Sequence, residues 1–249
     1  MKISVIMQSF LGEYDGSRKD SISKLERAIK SFQSNKSNSE LVLISDNCEL
    51  TKKVWEDKFS NDTNIIFYHL QDETKKMYHS DDKGIFFRGY PRQVGMELST
   101  GDVITYMDSD DFILPDYLER LNQLWQRNEK YFWFTNNCWF ENSKILEAQP
   151  NGYFEMFQEL EPHTIKKIEN LESEWILSKL RPGKMLLSPA LFSHRKDNDI
   201  KWSDCYLNEQ TLHSEDILFI NSFKSKYPNG ASISLPGYVR CHLRDHWDN

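Results

Sequence analysis

The sequence has 249 residues, and its 31 basic against 38 acidic residues give a formal net charge of −7. This charge argues against a protein that binds nucleic acid through a broad basic surface, but it still allows a local basic pocket for phosphate. The length suits one large domain with a sizeable core. The apolar stretches of the sequence are too short to span a membrane.

The N-terminus and the cysteines bear on the compartment. Apolar residues 3–7 predict a strand of the mature protein and not a signal peptide, because no small-residue cleavage site follows them. The four cysteines are widely spaced and lack the pairing of a zinc site, so reduced thiols are expected at Cys48, Cys138, Cys205 and Cys241. Both features predict a cytoplasmic protein.

Apolar runs alternate with helical periodicities along the first half of the chain. The predicted strands cover residues 3–7, 41–44, 65–68, 103–107 and 131–134. The predicted helices cover residues 22–32, 50–59, 92–99 and a segment that begins at Pro115, and a polar loop is predicted at residues 71–89. Strands that alternate with helices indicate an α/β fold, in which helices cover both faces of a mainly parallel sheet.

Two of these helices carry more specific predictions. In the first helix, Ser23 and Glu26 have the spacing of a capping box, and Ile22 begins the apolar stripe. In the second helix, Leu50 and Val54 are expected to face the core. Both helices are therefore predicted to be amphipathic.

The alternation breaks down after residue 138. Residues 139–183 are rich in aromatic and charged side chains, and within them a helix is predicted only at residues 171–180. No linker and no internal repeat divides the sequence. We therefore predict a single domain with a variable C-terminal third.

Polar residues follow the predicted strands at the end where α/β sheets bind their ligands. Gln8 and Ser9 follow the first strand, and Asp46 follows the second. The fourth strand ends in the cluster Asp108-Ser109-Asp110-Asp111. These strand ends are therefore the place to look for a site.

The acidic cluster at residues 108–111 is the strongest single signal. Three carboxylates in four residues repel one another, and a divalent ion such as Mg²⁺ or Mn²⁺ would neutralise them while it binds phosphate oxygens. The alternative is an acidic turn that caps the next helix, although Asp116 is better placed for that task. The cluster suggests a metal site without deciding it.

Several segments, in order along the chain, resemble the family 2 glycosyltransferases of the GT-A fold. They are residues 3–7 as the opening strand, 40–47 as the nucleotide-binding strand and turn, 91–95 with Gly101-Asp102 as the Ala-Arg-Asn-x-Gly segment, and 108–111 as the DxD motif. The DxD motif alone is a weak signal. The ordered set is much more specific, and it implies an α/β fold of the GT-A type.

The donor side departs from the family pattern in places. Asp46 takes the place of the second of two aspartates, with Ser45 in the first place and Asn47 in that of a glycine. The resemblance implies that Asp46 contacts the nucleotide base, and an ordinary turn residue is the alternative. Arg92 is implied to face the donor, although Gln93 replaces the usual asparagine. A solvated arginine in the first helical turn is the alternative for Arg92.

Two later segments complete the resemblance. Residues 212–219 contain Glu215-Asp216, which is similar to the Glu-Asp motif and implies that Asp216 is the catalytic base and Glu215 supports the acceptor. A helix start capped by Ser214 is the alternative, and both roles can hold together. Residues 238–246 resemble the late Arg-x-His segment, which implies that Arg240 and Arg244 contact diphosphate and that His242 completes the metal shell. A basic tail is the alternative, and it is favoured for Arg244 and His246.

The resemblance therefore implies a complete site within one domain, residues 1–249. Residues 1–137 bind the nucleotide-sugar, and residues 138–249 bind the acceptor. The implied catalytic residues are Asp216 and Glu215. The implied donor contacts are Gln8, Ser9, Asp46, Arg92, Asp108 and Arg240. The implied ligands of Mn²⁺ or Mg²⁺ are Asp108, Asp110 and His242.

The implied activity is a metal-dependent, inverting transfer from a nucleotide-diphosphate sugar, by default a UDP-sugar. The acceptor is a hydroxyl of a glycan or a lipid-linked saccharide, which the enzyme would reach by peripheral contact with the inner face of the membrane. No nucleic-acid partner is expected. The alternatives are a non-catalytic nucleotide- or glycan-binding module and a metal-dependent nucleotidyltransferase. The sequence lacks the glycine-rich phosphate loop with lysine that would favour the nucleotidyltransferase.

Overall fold

The computed structural model of this chain describes residues 1–11, 21–71, 79–80, 85–86, 89–136, 139–140, 189–202, 215–233, 235 and 237–240. Its strands are β1 (Ile3–Ser9), β2 (Ser39–Asp46), β3 (Ile65–Leu70), β4 (His79–Ser80), β5 (Ile85–Phe86), β6 (Val103–Asp108), β7 (Phe112–Ile113), β8 (Trp133–Thr135), β9 (Trp139–Phe140), β10 (Phe192–Arg195), β11 (Gly230–Ser232) and β12 (Tyr238–Arg240). Its helices are α1 (Ser21–Gln33), α2 (Glu49–Lys58), α3 (Gly89–Leu98), α4 (Tyr117–Arg127) and α5 (Glu215–Lys226).

The main sheet has seven strands in the order β11-β8-β10-β6-β1-β2-β3. All of its pairings are parallel except those of β10, which runs antiparallel to both neighbours. The predicted, mainly parallel α/β sheet is therefore confirmed. A smaller sheet, in the order β7-β12-β9, lies beyond the end of β6.

Helices cover both faces of the main sheet because its strands alternate their side chains. Along β1, Val5 and Met7 join one core cluster, whereas Ile6 joins the other. The first cluster contains residues of α1, α2 and α4, and the second contains residues of α3 and α5. None of the helices in the described ranges combines the length and apolar character that crossing a bilayer requires.

The first turns of α1 and α2 differ from the prediction. α1 begins at Ser21, so Ser23 lies inside its first turn and the predicted capping box is wrong. Ile22 and Leu50 are each 42% exposed, so their predicted inward positions are also wrong. Both residues lie in the first turn of their helices. The buried positions of α2 include Val54, as predicted.

Other boundaries shift by a few residues. β8 begins at Trp133 and not at Tyr131. Phe132 lies just before it, where its N–H donates to the Asn229 carbonyl at 2.8 Å and its carbonyl accepts from the Arg195 N–H at 2.9 Å. Part of the predicted loop at residues 71–89 forms the short antiparallel pair β4 and β5. The helix predicted at residues 171–180 lies outside the described residues, and the division into donor and acceptor parts stays a prediction.

Candidate active site

The carboxyl ends of β1, β2 and β6 meet at one edge of the sheet. The register places Gln8 of β1 directly beside Asp108 of β6, and Ser9 beside Ser45 of β2. Gln8 Oε1 is buried and has no hydrogen-bond partner within the described residues. The Ser9 hydroxyl is buried and bonds with Thr51 Oγ1 at 2.9 Å. Within the described residues the Gln8 acceptor is therefore unused, whereas the Ser9 hydroxyl is used inside the fold.

The acidic turn after β6 divides its three carboxylates between two tasks. The Asp111 N–H donates to the Asp108 carbonyl at 3.1 Å and closes the turn. The Asp111 side chain is buried, with Oδ2 accepting a hydrogen bond from the Tyr238 hydroxyl at 2.8 Å. Asp108 and Asp110 remain half-buried. These two carboxylates are thus the ones that a ligand can reach.

Tyr238 of β12 is hydrogen-bonded to this turn at two points. Its hydroxyl also accepts the Asp108 backbone N–H at 3.1 Å. Burial, followed by the charges of Asp111 and Asp108, raises the pKa of Tyr238 well above its usual value. The hydroxyl therefore stays protonated and continues to donate to Asp111.

Arg27 of α1 holds the turn from the other side. Its Nη2 donates to the Asp110 carbonyl at 2.9 Å, and its guanidinium lies 5.0 Å from the centre of the Phe112 ring. Sequence reasoning missed this residue, because 83 positions separate it from Asp110 and no local pattern announces the contact. Arg27 and Tyr238 together fix the backbone on which Asp108 and Asp110 stand.

The turn after β2 follows the implied nucleotide-binding pattern in its backbone. Asn47 has φ 46°, a left-handed conformation, at the place where the family has glycine. Ser45, in the place of the first aspartate, is fully buried and donates to the Cys48 carbonyl at 2.9 Å. Asp46 ends β2 half-buried at the sheet edge. Asp46 is thus the carboxylate that the structure places at the end of β2.

Arg92 lies among three carboxylates from two parts of the chain. Its Nη1 donates to Asp216 Oδ1 at 2.7 Å and lies 4.0 Å from Glu215 Oε1. Its Nη2 lies 3.9 Å from Asp108 Oδ1, and its side chain is only 7% exposed. Arg92 is therefore not a solvated arginine of the first helical turn. It joins the acidic turn to the Glu215-Asp216 pair.

The positions of Arg92 and of the Glu215-Asp216 pair depend on how α3 packs and on the first turn of α5. Gly95 lets α3 lie against β1, because a Cβ there would come within 2.5 Å of Ile6 Cγ2. Glu215 and Asp216 form the first turn of α5, where the helix-start alternative placed them, whereas the predicted cap Ser214 lies outside the described residues. The Glu215 side chain is 8% exposed, whereas that of Asp216 is 27% exposed. Asp216 is thus the more accessible member of the pair.

The C-terminal candidates are only partly described. Arg240 ends β12, which pairs with β7 directly after the acidic turn. His242, together with Arg244 and His246, lies outside the described residues. Within the described ranges, no group of three or more His, Cys, Asp or Glu side chains is arranged to hold a metal ion.

The described side chains nevertheless fit part of a divalent-cation site. Asp108 and Asp110 present two half-buried carboxylates on one turn, and hard cations such as Mg²⁺ and Mn²⁺ prefer oxygen ligands. Such cations often complete their shell with substrate phosphate oxygens and water. The donor set is therefore chemically suited to a cation that bridges the protein to a phosphate.

Comparison with known proteins agrees with this geometry. Residues 88–172, which include α3 and the acidic turn, match the sequence model of Glycosyl transferase family 2. Part of this chain is thus similar in sequence to the family 2 glycosyltransferases. Over 203 residues it is 25% identical to the GalNAc(5)-diNAcBac-PP-undecaprenol beta-1,3-glucosyltransferase of Campylobacter jejuni, covering 81% of this chain and 56% of that enzyme.

The fold of this chain is similar to that of solved structures. The S. aureus TarS 1–349 crystal structure covers 100% of this chain with a TM-score of 0.60 at 18% identity, and 63% of TarS 1–349 is covered in turn. The complex of TarS 1–349 with UDP-GlcNAc matches with the same TM-score at 16% identity, covering 100% of this chain and 61% of TarS. The GT-A architecture predicted for the chain is thus confirmed. The chain spans less than two thirds of each of these proteins.

Proposed function

We propose that this chain is a glycosyltransferase that moves a sugar from a UDP-sugar, or a similar nucleotide-diphosphate sugar, to a hydroxyl of a saccharide acceptor. The observation that carries the proposal is the position of Arg92. Its guanidinium lies 3.9 Å from a carboxylate oxygen of the acidic turn and 2.7 Å from Asp216. The proposed donor-binding turn and the candidate base therefore both lie next to the Arg92 guanidinium.

The donor side is assigned to the edge formed by β1, β2 and β6. Asp108 and Asp110 would hold Mn²⁺ or Mg²⁺, and the bound cation would neutralise the charge of the leaving diphosphate as a Lewis acid. Gln8 Oε1 is buried beside Asp108 and has no partner in the described part of the chain. It could accept a hydrogen bond from an N–H or O–H group of the nucleotide-sugar. Asp46 at the neighbouring strand end is assigned to the nucleotide base.

The acceptor side is assigned to the start of α5. Asp216 Oδ1 accepts the Arg92 hydrogen bond, and within the described residues Oδ2 has no donor. Oδ2 is therefore the atom that we assign to take the proton of the acceptor hydroxyl. Glu215, 4.0 Å from Arg92 and nearly buried, is a supporting carboxylate. Attack from the face opposite the leaving diphosphate would invert the anomeric centre.

The relatives suggest the substrate class. The C. jejuni enzyme is named for a glucosyl transfer to an undecaprenol-diphosphate-linked saccharide, and TarS was crystallised with UDP-GlcNAc. We therefore extend a UDP-sugar donor and a lipid-linked saccharide acceptor to this chain. An acceptor on a lipid would bring the enzyme into peripheral contact with a membrane, and a cytoplasmic location stays a prediction.

A panel of nucleotide-sugars tests the proposal. The protein is incubated with UDP-glucose, UDP-GlcNAc, UDP-GalNAc or GDP-mannose, each with Mn²⁺ and with EDTA, and nucleoside diphosphate and pyrophosphate are measured. We expect release of nucleoside diphosphate from at least one donor, only with the cation. Pyrophosphate release would indicate a nucleotidyltransferase. Donor binding without any product, also after addition of a lipid-linked oligosaccharide mixture, would indicate a binding module.

A further inference from the structure

Trp202 connects the two halves of the proposed site, although no sequence pattern singled it out. The side chain is fully buried, and its ring stacks on Phe219 of α5 with 3.9 Å between centroids and 7° between planes. The Arg92 guanidinium lies over the Trp202 ring, 5.0 Å from a ring centre. One indole therefore contacts both the cation of the site and the helix that carries Asp216.

Polar contacts hold this indole in one orientation. The Trp202 backbone N–H donates to Gln93 Oε1 at 2.8 Å, and its Nε1–H donates to the Tyr106 hydroxyl at 3.1 Å. Tyr106 is 2.9 Å from His194 Nε2. Burial lowers the pKa of His194 to about 4, so the ring is neutral near pH 7, and with Nδ1–H donating to the Arg195 carbonyl its Nε2 accepts from Tyr106. Trp202 is thus hydrogen-bonded to Gln93 of α3 and to Tyr106 of β6.

We infer that Trp202 is a positioning residue that holds Arg92 between Asp108 and Asp216, an inference that rests on the proposed function. The guanidinium has carboxylates within 4.0 Å on two sides, so charge alone does not choose its plane. A planar aromatic face does, because it attracts and stacks the guanidinium. Phe219 follows Asp216 by three residues, nearly one helical turn, so the same ring also locates the start of α5.

Trp125 shows what an ordinary buried tryptophan does in this fold. It too is fully buried and has an arginine over its ring, with Arg195 at 5.5 Å. Arg195, however, bonds to the carbonyls of Tyr131 and Glu129, and Trp125 packs with Phe134 in the core on the opposite sheet face. Trp125→Phe is therefore a matched control for Trp202→Phe, with the same residue type and burial but without a connection to the site.

The test is a double-mutant cycle read by calorimetry. The dissociation constant of UDP in the presence of Mn²⁺ is measured for wild type, Trp202→Phe, Arg92→Gln and the double variant, with melting temperatures alongside. We expect Trp202→Phe to weaken binding severalfold, less than the roughly thirtyfold of a cation–π contact that is lost in full, because phenylalanine keeps a smaller aromatic face. In the Arg92→Gln background the same change should have no further effect, because Trp202 acts through Arg92. Trp125→Phe should lower the melting temperature and leave the dissociation constant unchanged.

The results that would overturn the role of Trp202 differ from those that would overturn the proposed function. Independent, additive losses in the cycle, or unchanged UDP binding in a destabilised Trp202→Phe, would make Trp202 an ordinary core residue while the proposed function stands. Absence of metal-dependent nucleotide binding in the wild type would overturn the proposed function and this inference with it. If Trp202→Phe does not fold, Tyr106→Phe removes the hydroxyl that accepts the indole N–H, together with the bond of that hydroxyl to His194. It should weaken UDP binding in the wild-type background and not in Arg92→Gln.

Discussion

Arg92 and Asp216 stand 124 positions apart in the chain and form a hydrogen-bonded ion pair of 2.7 Å. The pair joins α3, which precedes β6 in the chain, to the first turn of α5. It also brings the guanidinium within 3.9 Å of Asp108. A change in the charge at the acidic turn therefore acts on the same guanidinium that contacts the candidate base.

Nucleotide binding should require the cation. UDP together with Mn²⁺ or Mg²⁺ is expected to raise the melting temperature, because Asp108 and Asp110 accept a diphosphate only after a cation has neutralised them. The stabilisation should reach about 2.7 kcal/mol at a hundredfold excess of ligand over its dissociation constant. Thermal unfolding with UDP, with the cation alone, and with UDP plus EDTA measures this. An equal shift in EDTA would refute a cation bridge between protein and nucleotide.

Asp46→Ala should weaken nucleotide binding and leave the fold intact, because Asp46 is half-buried at the end of β2 and not part of the core. Calorimetric titration with UDP and Mn²⁺ measures the effect. Asp57→Ala is the control, since it removes the same charge from the exposed surface of α2. If Asp46→Ala binds UDP as tightly as Asp57→Ala does, the assignment of Asp46 to the nucleotide base is wrong.

Asp110→Asn and Asp216→Asn should lose different properties of the enzyme. Asp110→Asn is expected to lose cation-dependent UDP binding and turnover together, because it removes a proposed cation ligand. Asp216→Asn should retain UDP binding and lose turnover by roughly 10²–10⁴-fold, the typical loss for a missing general base. Both substitutions are nearly isosteric, so both variants should fold. Calorimetry and product release are measured on the same preparations.

The Asp216 half of this comparison has two contrary outcomes. Transfer at the parental rate by Asp216→Asn would mean that Glu215 or another group is the base. Loss of UDP binding by Asp216→Asn would instead place the Glu215-Asp216 pair at the donor and separate it from proton transfer.

Glu40 should make the fold sensitive to acid. Burial alone would raise the pKa of Glu40, but hydrogen bonds from Lys2, Ser4 and Thr100 hold it at about 2 against an ordinary 4.5. Because the folded-state pKa is the lower one, the stabilisation is complete above about pH 4.5 and disappears as the pH falls towards 2. Glu40→Gln should therefore lower the free energy of unfolding by about 2 kcal/mol at pH 7, and by much less near pH 2.

Urea unfolding across this pH range measures the effect of Glu40→Gln. Glu56→Gln on the exposed surface of α2 is the matched control and should change the free energy of unfolding little at any pH. A difference between Glu40→Gln and wild type that does not depend on pH would show that the Glu40 hydrogen bonds matter only through packing.

Local sequence patterns determined most of the secondary structure of residues 1–134. The strand and helix periodicities of the first 134 residues are local, and so is the left-handed turn at Asn47, where the sequence places a residue that tolerates positive φ. These features depend on residues within one helical turn or one strand of each other. For the same reason, the acidic turn and the helix start at Glu215 could be located from the sequence without knowing what they contact.

Only the tertiary structure decided how these parts work together. The pattern could not tell that Asp111 is buried beneath Tyr238 while Asp108 and Asp110 stay accessible, or that Arg92 meets Asp216 across 124 positions. Nor could it distinguish Trp202 from Trp125. These distinctions depend on which helices pack on which face of the sheet and at what distance. Helix packing is a sum over many distant apolar contacts, so no single stretch of the sequence records it.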